Sequence, residues 1–164
     1  MLLAPPYPGF KTVTEFYHPM LNHYQLAADA AEIEALLSDG WVATGDSFRA
    51  LAAPACYGSL VFRFTRNIAQ RRGSRFLTVD AAECGVVRKS SPSWRPQDIP
   101  FSASAPLGGV CQAQYGTFPV YRAYNGREMF NDMNHRYTTS LATYNDMIAQ
   151  GWGGEGIAFC VFGR

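Results

Sequence analysis

Each of the three tryptophans in the chain is followed by a phenylalanine seven residues later. Trp41 leads to Phe48, Trp94 to Phe101 and Trp152 to Phe159. Gly45, Asp98 and Gly156 hold the position four residues after each Trp. A period of this kind marks a chain assembled from copies of one supersecondary unit, none of which can bury its apolar face alone.

The pattern extends upstream. Val13–Tyr17, Val61–Thr65 and Val120–Tyr124 are aromatic and β-branched, and read as first strands. Asn22–Leu26, Ser74–Thr78 and Asn134–Thr138 read as second strands. Asp29 before Glu32 and Asp80 before Glu83 then announce helix starts, with Ser140 before Thr143 as a weaker counterpart. Ile33, Leu36 and Leu37, and again Tyr144, Met147 and Ile148, recur at helical spacing, and Gly40 and Gly151 suit left-handed helix ends. The middle helix is weaker, with Cys84 and Val87 before Pro92. The third strands carry the Trp and end at Phe48, Phe101 and Phe159. The expected fold is α+β and β-rich: three β-β-α-β repeats over about 13–51, 61–103 and 120–162, packed around a pseudo-threefold axis. A β-trefoil is the nearest label, and residues 1–164 are expected to form a single domain.

Fourteen Lys and Arg against thirteen Asp and Glu leave a net charge of +1, which argues against a nucleic-acid partner. No apolar run approaches the 18 residues of a membrane span, so no membrane insertion is expected. Cys56, Cys84, Cys111 and Cys160 form no C-x-x-C pair, the spacing that compact zinc sites use, so neither metal nor cofactor is expected. An even count suits an oxidising compartment, and among three connectivities Cys56–Cys84 and Cys111–Cys160 are expected. Met1 to Phe10 lack a basic n-region and a long apolar core. A secreted chain would then have lost its signal or be part of a larger secreted protein.

Trp41, Trp94 and Trp152 can either stack on sugar rings or pack a shared core. His23 and His135 read as equivalent, with Arg75 in the third place and His18 outside the set. Arg cannot ligate a metal, so these residues serve structural hydrogen bonds or contact a ligand hydroxyl. Arg63 and Arg122, replaced by Glu15 in the first repeat, can pair with Glu83 or Glu155 or clamp a sugar. Arg63, Arg66, Arg71, Arg72 and Arg75 read as a solvated loop or an anionic-glycan contact. No nucleophile elbow, carboxylate pair, phosphate loop or dinucleotide fingerprint occurs, so catalysis is not expected, a hydrolase being the remaining enzymatic alternative.

These residues resemble a bacterial and fungal family of secreted three-repeat modules. Its pattern runs aromatic-Arg-x-Tyr-Asn, then Asp/Asn-His-Phe/Tyr-x-Thr, then Gly-Trp-x-x-Glu-Gly-x-x-Phe. The third repeat carries it best, through Tyr121, Arg122, Tyr124, Asn125, Asn134, His135, Tyr137, Thr138, Gly151, Trp152, Glu155, Gly156 and Phe159. Arg75 replaces the His, and Thr44 and Gln97 replace the Glu, in the other copies. The resemblance implies a secreted or cell-surface accessory domain. The expected function is a non-catalytic recognition module for carbohydrate or another cell-surface component, its rival a structural or protein-interaction module on a secreted enzyme. Tyr121, Arg122, Tyr124, His135 and Glu155 are the expected ligand-binding set.

Overall fold

The computed structural model describes residues 9–52, 59–60, 62–66, 74–90, 94–96 and 100–163. It is mixed and strand-rich. In chain order the elements are β1 (Phe10–His18), β2 (His23–Ala27), α1 (Ala30–Ser38), β3 (Val42–Leu51), β4 (Ser59–Leu60), β5 (Phe62–Arg66), β6 (Arg75–Thr78), α2 (Ala81–Ser90), β7 (Trp94–Pro96), β8 (Ser102–Ala103), β9 (Phe118–Tyr124), β10 (His135–Thr138), α3 (Leu141–Ala149) and β11 (Gly153–Val161). All strand pairs are antiparallel. The sheets run β2-β1-β3-β8-β4, β6-β5-β7 and β10-β9-β11, so three units each place their first strand between their second and third.

Register aligns the units. Glu15 faces Leu26, Arg63 faces Leu77 and Arg122 faces Tyr137. Counted from these pairs, Tyr24, Arg75 and His135 fall at one position, and His23 matches Ser74 and Asn134. The expected equivalence of His23 and His135 is therefore wrong by one residue. Turns of unlike length hide such a slip in the sequence, yet it moves a side chain to the other face of the sheet.

Helix ends follow local chemistry. Gly40 and Gly151 adopt positive φ of 88° and 95°. The next residue, Trp41 or Trp152, donates its N–H back to Leu36 or Met147 O at 3.1 Å, a Schellman closure that hooks each Trp over a buried helix residue. The side chains of Asp80 and Ser140 accept from the third residue onward, capping α2 and α3. Asp29 does not cap α1; Lys11 Nζ takes its carboxylate at 2.6 Å. The weak middle helix is also corrected: α2 has ten residues, helped by Glu83 in its first turn and Arg88 and Lys89 in its last.

The main apolar core draws on all three units, with Val13, Leu26 and Phe48, then Leu77 and Phe101, then Val120, Tyr137 and Phe159. The three Phe rings form a closed triangle, with centroids 5.8 Å apart for Phe48–Phe101, 5.8 Å for Phe101–Phe159 and 6.3 Å for Phe48–Phe159. The middle unit reaches this triangle differently from expectation. Its third strand is described over Trp94–Pro96, and Phe101 lies just before a separate short strand, β8, which pairs with β3 and β4.

Cys111 and Cys160 form the expected disulfide, closing a loop of 49 residues and contributing about 4 kcal/mol in the chain-entropy account. Cys84 is a buried free thiol against Phe76, Val87 and Trp94; its expected partner, Cys56, lies outside the described residues.

The tryptophans differ in burial. Trp41 is 2% exposed, whereas Trp94 and Trp152 are only half-buried, contrary to a uniform core role. Trp41→Ala should cost about 3–5 kcal/mol in urea unfolding, and Trp152→Ala only about 1–2 kcal/mol. Equal losses would place both indoles in the same kind of environment.

Candidate functional site

Alternation along β9 turns Arg122 inward, where it is 6% exposed. Its Nε donates to Glu155 Oε2 at 2.6 Å; Nη1 and Nη2 donate to Glu83 at 3.1 and 2.6 Å. Nη1 also reaches Leu77 O at 3.4 Å, and the guanidinium carbon lies 4.6 Å from the Phe76 ring centroid. Burial works against the charge, but Tyr137, Glu83 and Glu155 outweigh it and hold the guanidinium above its ordinary pKa. Burial also opposes ionisation of Glu83, and hydrogen bonds from Arg122 and Thr78 overcome it, keeping that carboxyl below the usual range. The expected pairing of Arg122 holds with both carboxylates. That leaves no spare fork for a sugar.

Arg136 on β10 forms a second buried pair. Nε and Nη2 clasp Glu15 at 2.9 and 3.0 Å, and the guanidinium lies 4.0 Å over Tyr24. Arg75 on β6 binds Glu32 and donates to Leu26 O. Each of these cations reaches from one unit into another. Arg63 and Arg66 lie in β5, and their side chains, with Arg71 and Arg72, lie outside the described residues.

His135 stacks on Tyr124 at 4.8 Å and meets Phe76 edge-on at 5.2 Å. Its Nε2 is 3.7 Å from Glu155 Oε2, and its buried Nδ1 has no hydrogen-bond partner among the described residues. Burial first, and the Arg122 charge second, push its pKa down to about 3. The ring is therefore neutral near pH 7. His23 has the same character: Nε2 donates to Asp132 at 2.8 Å, and burial keeps its pKa below normal despite that carboxylate.

Among the described residues, three clefts border this framework. The first, of about 450 Å³, lies between the β1–β2 turn and the third unit. Trp152 forms a wall, and Asn22, Asn125, Arg127, Asp132 and Gln150 supply polar groups. Its geometry is held from behind: Tyr17 OH donates to Asn22 Oδ1, Asn125 Nδ2 donates to Asp132 O, and Arg127 Nε bonds Asp132 Oδ2 at 2.5 Å. The second, about 320 Å³, is lined by Asp80, Glu83 and Glu155 beside Pro106 and Ile157, with the buried Arg122 behind them. The third, about 200 Å³, is lined by Phe76, Trp94, Tyr124 and His135 with Glu128 and Glu155.

Of the five expected site residues, Arg122, Tyr124, His135 and Glu155 are brought together. Tyr121 is not among them; it stacks on Tyr144 at 5.1 Å and lines none of these clefts. Sequence reasoning missed the part played by Phe76, Asn22 and Gln150. Asn22 carried one signal, since a turn between paired strands favours Asn at a positive φ, here 53°.

The family described as a domain of unknown function, DUF5648, matches residues 12–162. No curated protein and no solved structure matches the chain.

Two measurements test the framework. Arg122→Met should cost about 3 kcal/mol by leaving two carboxylates uncompensated, whereas Glu155→Gln should cost about 1 kcal/mol because Glu83 still holds the guanidinium. Equal losses in urea unfolding would contradict the shared pairing. Acid should also destabilise the fold. His135 stays unprotonated down to about pH 3 when folded, but takes a proton near 6.5 when unfolded. Between those values the unfolded chain binds more protons, so stability falls with pH by up to about 1.4 kcal/mol per unit. His23 and Glu83, both held low, act in the same direction. His135→Phe should flatten the dependence between pH 6.5 and 4.5; an unchanged slope in urea titrations would rule His135 out as its source.

Proposed function

We propose that this chain, which belongs to the DUF5648 family, is a secreted, non-catalytic recognition module that binds carbohydrate beside Trp152. The observation that carries this reading is the makeup of the cleft of about 450 Å³: one half-buried indole wall among amide, carboxylate and guanidinium groups. A pyranose presents C–H groups on one face and hydroxyls around its rim. An indole packs against the face, amides donate and accept around the edge, and a carboxylate accepts from hydroxyls there. The binding set thus moves from the interior of the third unit to its rim, because Arg122 is consumed by internal pairs. The Cys111–Cys160 bridge supports an oxidising compartment.

The same proposal treats the three units as copies arranged about a pseudo-threefold axis, a trefoil-like plan in which each copy carries one helix. The Phe48–Phe101–Phe159 triangle and the matched strand registers support it.

Glycan arrays and cell-wall polysaccharide pull-downs should show binding that Trp152→Ala reduces at least about tenfold, with circular dichroism unchanged and partial rescue by Trp152→Phe. Binding untouched by Trp152→Ala and by Asn22→Ala overturns the site. Absence of any glycan binding, together with specific capture of a secreted protein, favours the interaction-module reading instead.

A further inference from the structure

The cleft at Trp94 has a different chemistry from the one at Trp152. Trp94 and Tyr124 are half-buried, and Phe76 and His135 are buried beside them. The rings are locked in place: Phe76 meets Trp94 at 6.0 Å and His135 at 5.2 Å, both edge-on, while Tyr124 lies flat on His135 at 4.8 Å. The charged lining of this cleft is Glu128 and Glu155, beside Tyr124 and the neutral His135, with no Lys or Arg among its described residues. Arg122 touches Glu155 from within, yet one guanidinium there faces two carboxylates, Glu83 and Glu155, so the cluster keeps a negative charge. Aromatic faces and a net excess of carboxylate charge both attract positive charge, and a volume near 200 Å³ suits a small head group rather than an oligosaccharide.

We propose that the cleft formed by Trp94, Tyr124, Phe76 and His135, with Glu128 and Glu155 at hand, binds a methylated organic ammonium group. A quaternary ammonium carries its charge on a surface of methyl groups. It loses little hydration on entering an aromatic pocket and needs no hydrogen-bond acceptor at close range. The carboxylates supply long-range attraction and repel anionic ligands such as uronates or phosphates. This site is separate from the cleft at Trp152.

Choline and its uncharged isostere 3,3-dimethylbutan-1-ol are the probes, titrated by calorimetry and by tryptophan fluorescence on the intact chain. Choline should bind saturably and about tenfold more tightly than the isostere. Glu128→Gln, at an exposed position, should weaken choline about threefold without unfolding, and Trp94→Ala should abolish the fluorescence change. Trp152→Ala should leave choline binding intact, which keeps this test independent of carbohydrate binding. Equal affinity for choline and the isostere, no saturable choline binding, or loss of choline binding in Trp152→Ala with Trp94 intact would each overturn the assignment.

Discussion

The packing of three phenylalanines against one another is the contact on which the rest of the molecule depends. Phe48, Phe101 and Phe159 come from different units and are each at most 3% exposed. No three-stranded unit of this size can build a core by itself, because one face of each sheet would remain wet. The triangle solves that problem by giving every unit the same kind of partner. Val13, Val120, Leu26, Leu77 and Tyr137 then fill the space around it. Side chains from the third unit also satisfy backbone groups of the other two. The Tyr137 hydroxyl donates to Leu77 O and accepts from Leu77 N, and the Asn134 amide does the same for Tyr24.

Around that core lies a set of ion pairs that join units rather than residues within them. Arg122 reaches Glu83, Arg136 reaches Glu15 and Arg75 reaches Glu32. Buried pairs contribute little net stability, since desolvation consumes most of the attraction. Their value here is directional: a guanidinium fork fits its carboxylate in one orientation only, so each unit docks on its neighbour in a defined way. Aromatic rings under Arg122 and Arg136 add to this by covering the planar faces of the guanidinium groups.

The clefts are a consequence of the same docking. Trp41, Trp94 and Trp152 stand at matching places beside their sheets, yet each meets a different neighbour. Trp41 is enclosed with Phe16 and Leu36, Trp94 faces Phe76 and His135, and Trp152 meets Tyr24 edge-on. One structural position has thereby acquired a core role and two distinct wall roles. Substitution at the contacted position, rather than at the Trp itself, decides which.

Sequence alone pointed to the Trp-to-Phe spacing, the strand–strand–helix–strand order along the chain and the Gly-Trp helix ends. These rest on local chemistry: positive φ at glycine, backbone capping, and apolar residues at strand and helix spacing. The pairing of Arg122 was also legible, because a long cation on a central strand needs a carboxylate. Tertiary structure decided what local patterns do not encode. His135 aligns with Tyr24 rather than His23 because register is set by cross-strand pairing, and loop length conceals it. Trp152 borders a cleft while Trp41 is sealed, because burial depends on which residue the adjoining unit presents. Similar local motifs give the three sheets the same order of first, second and third strands; the surface beside each Trp is set by its neighbour, through contacts between residues far apart in the chain.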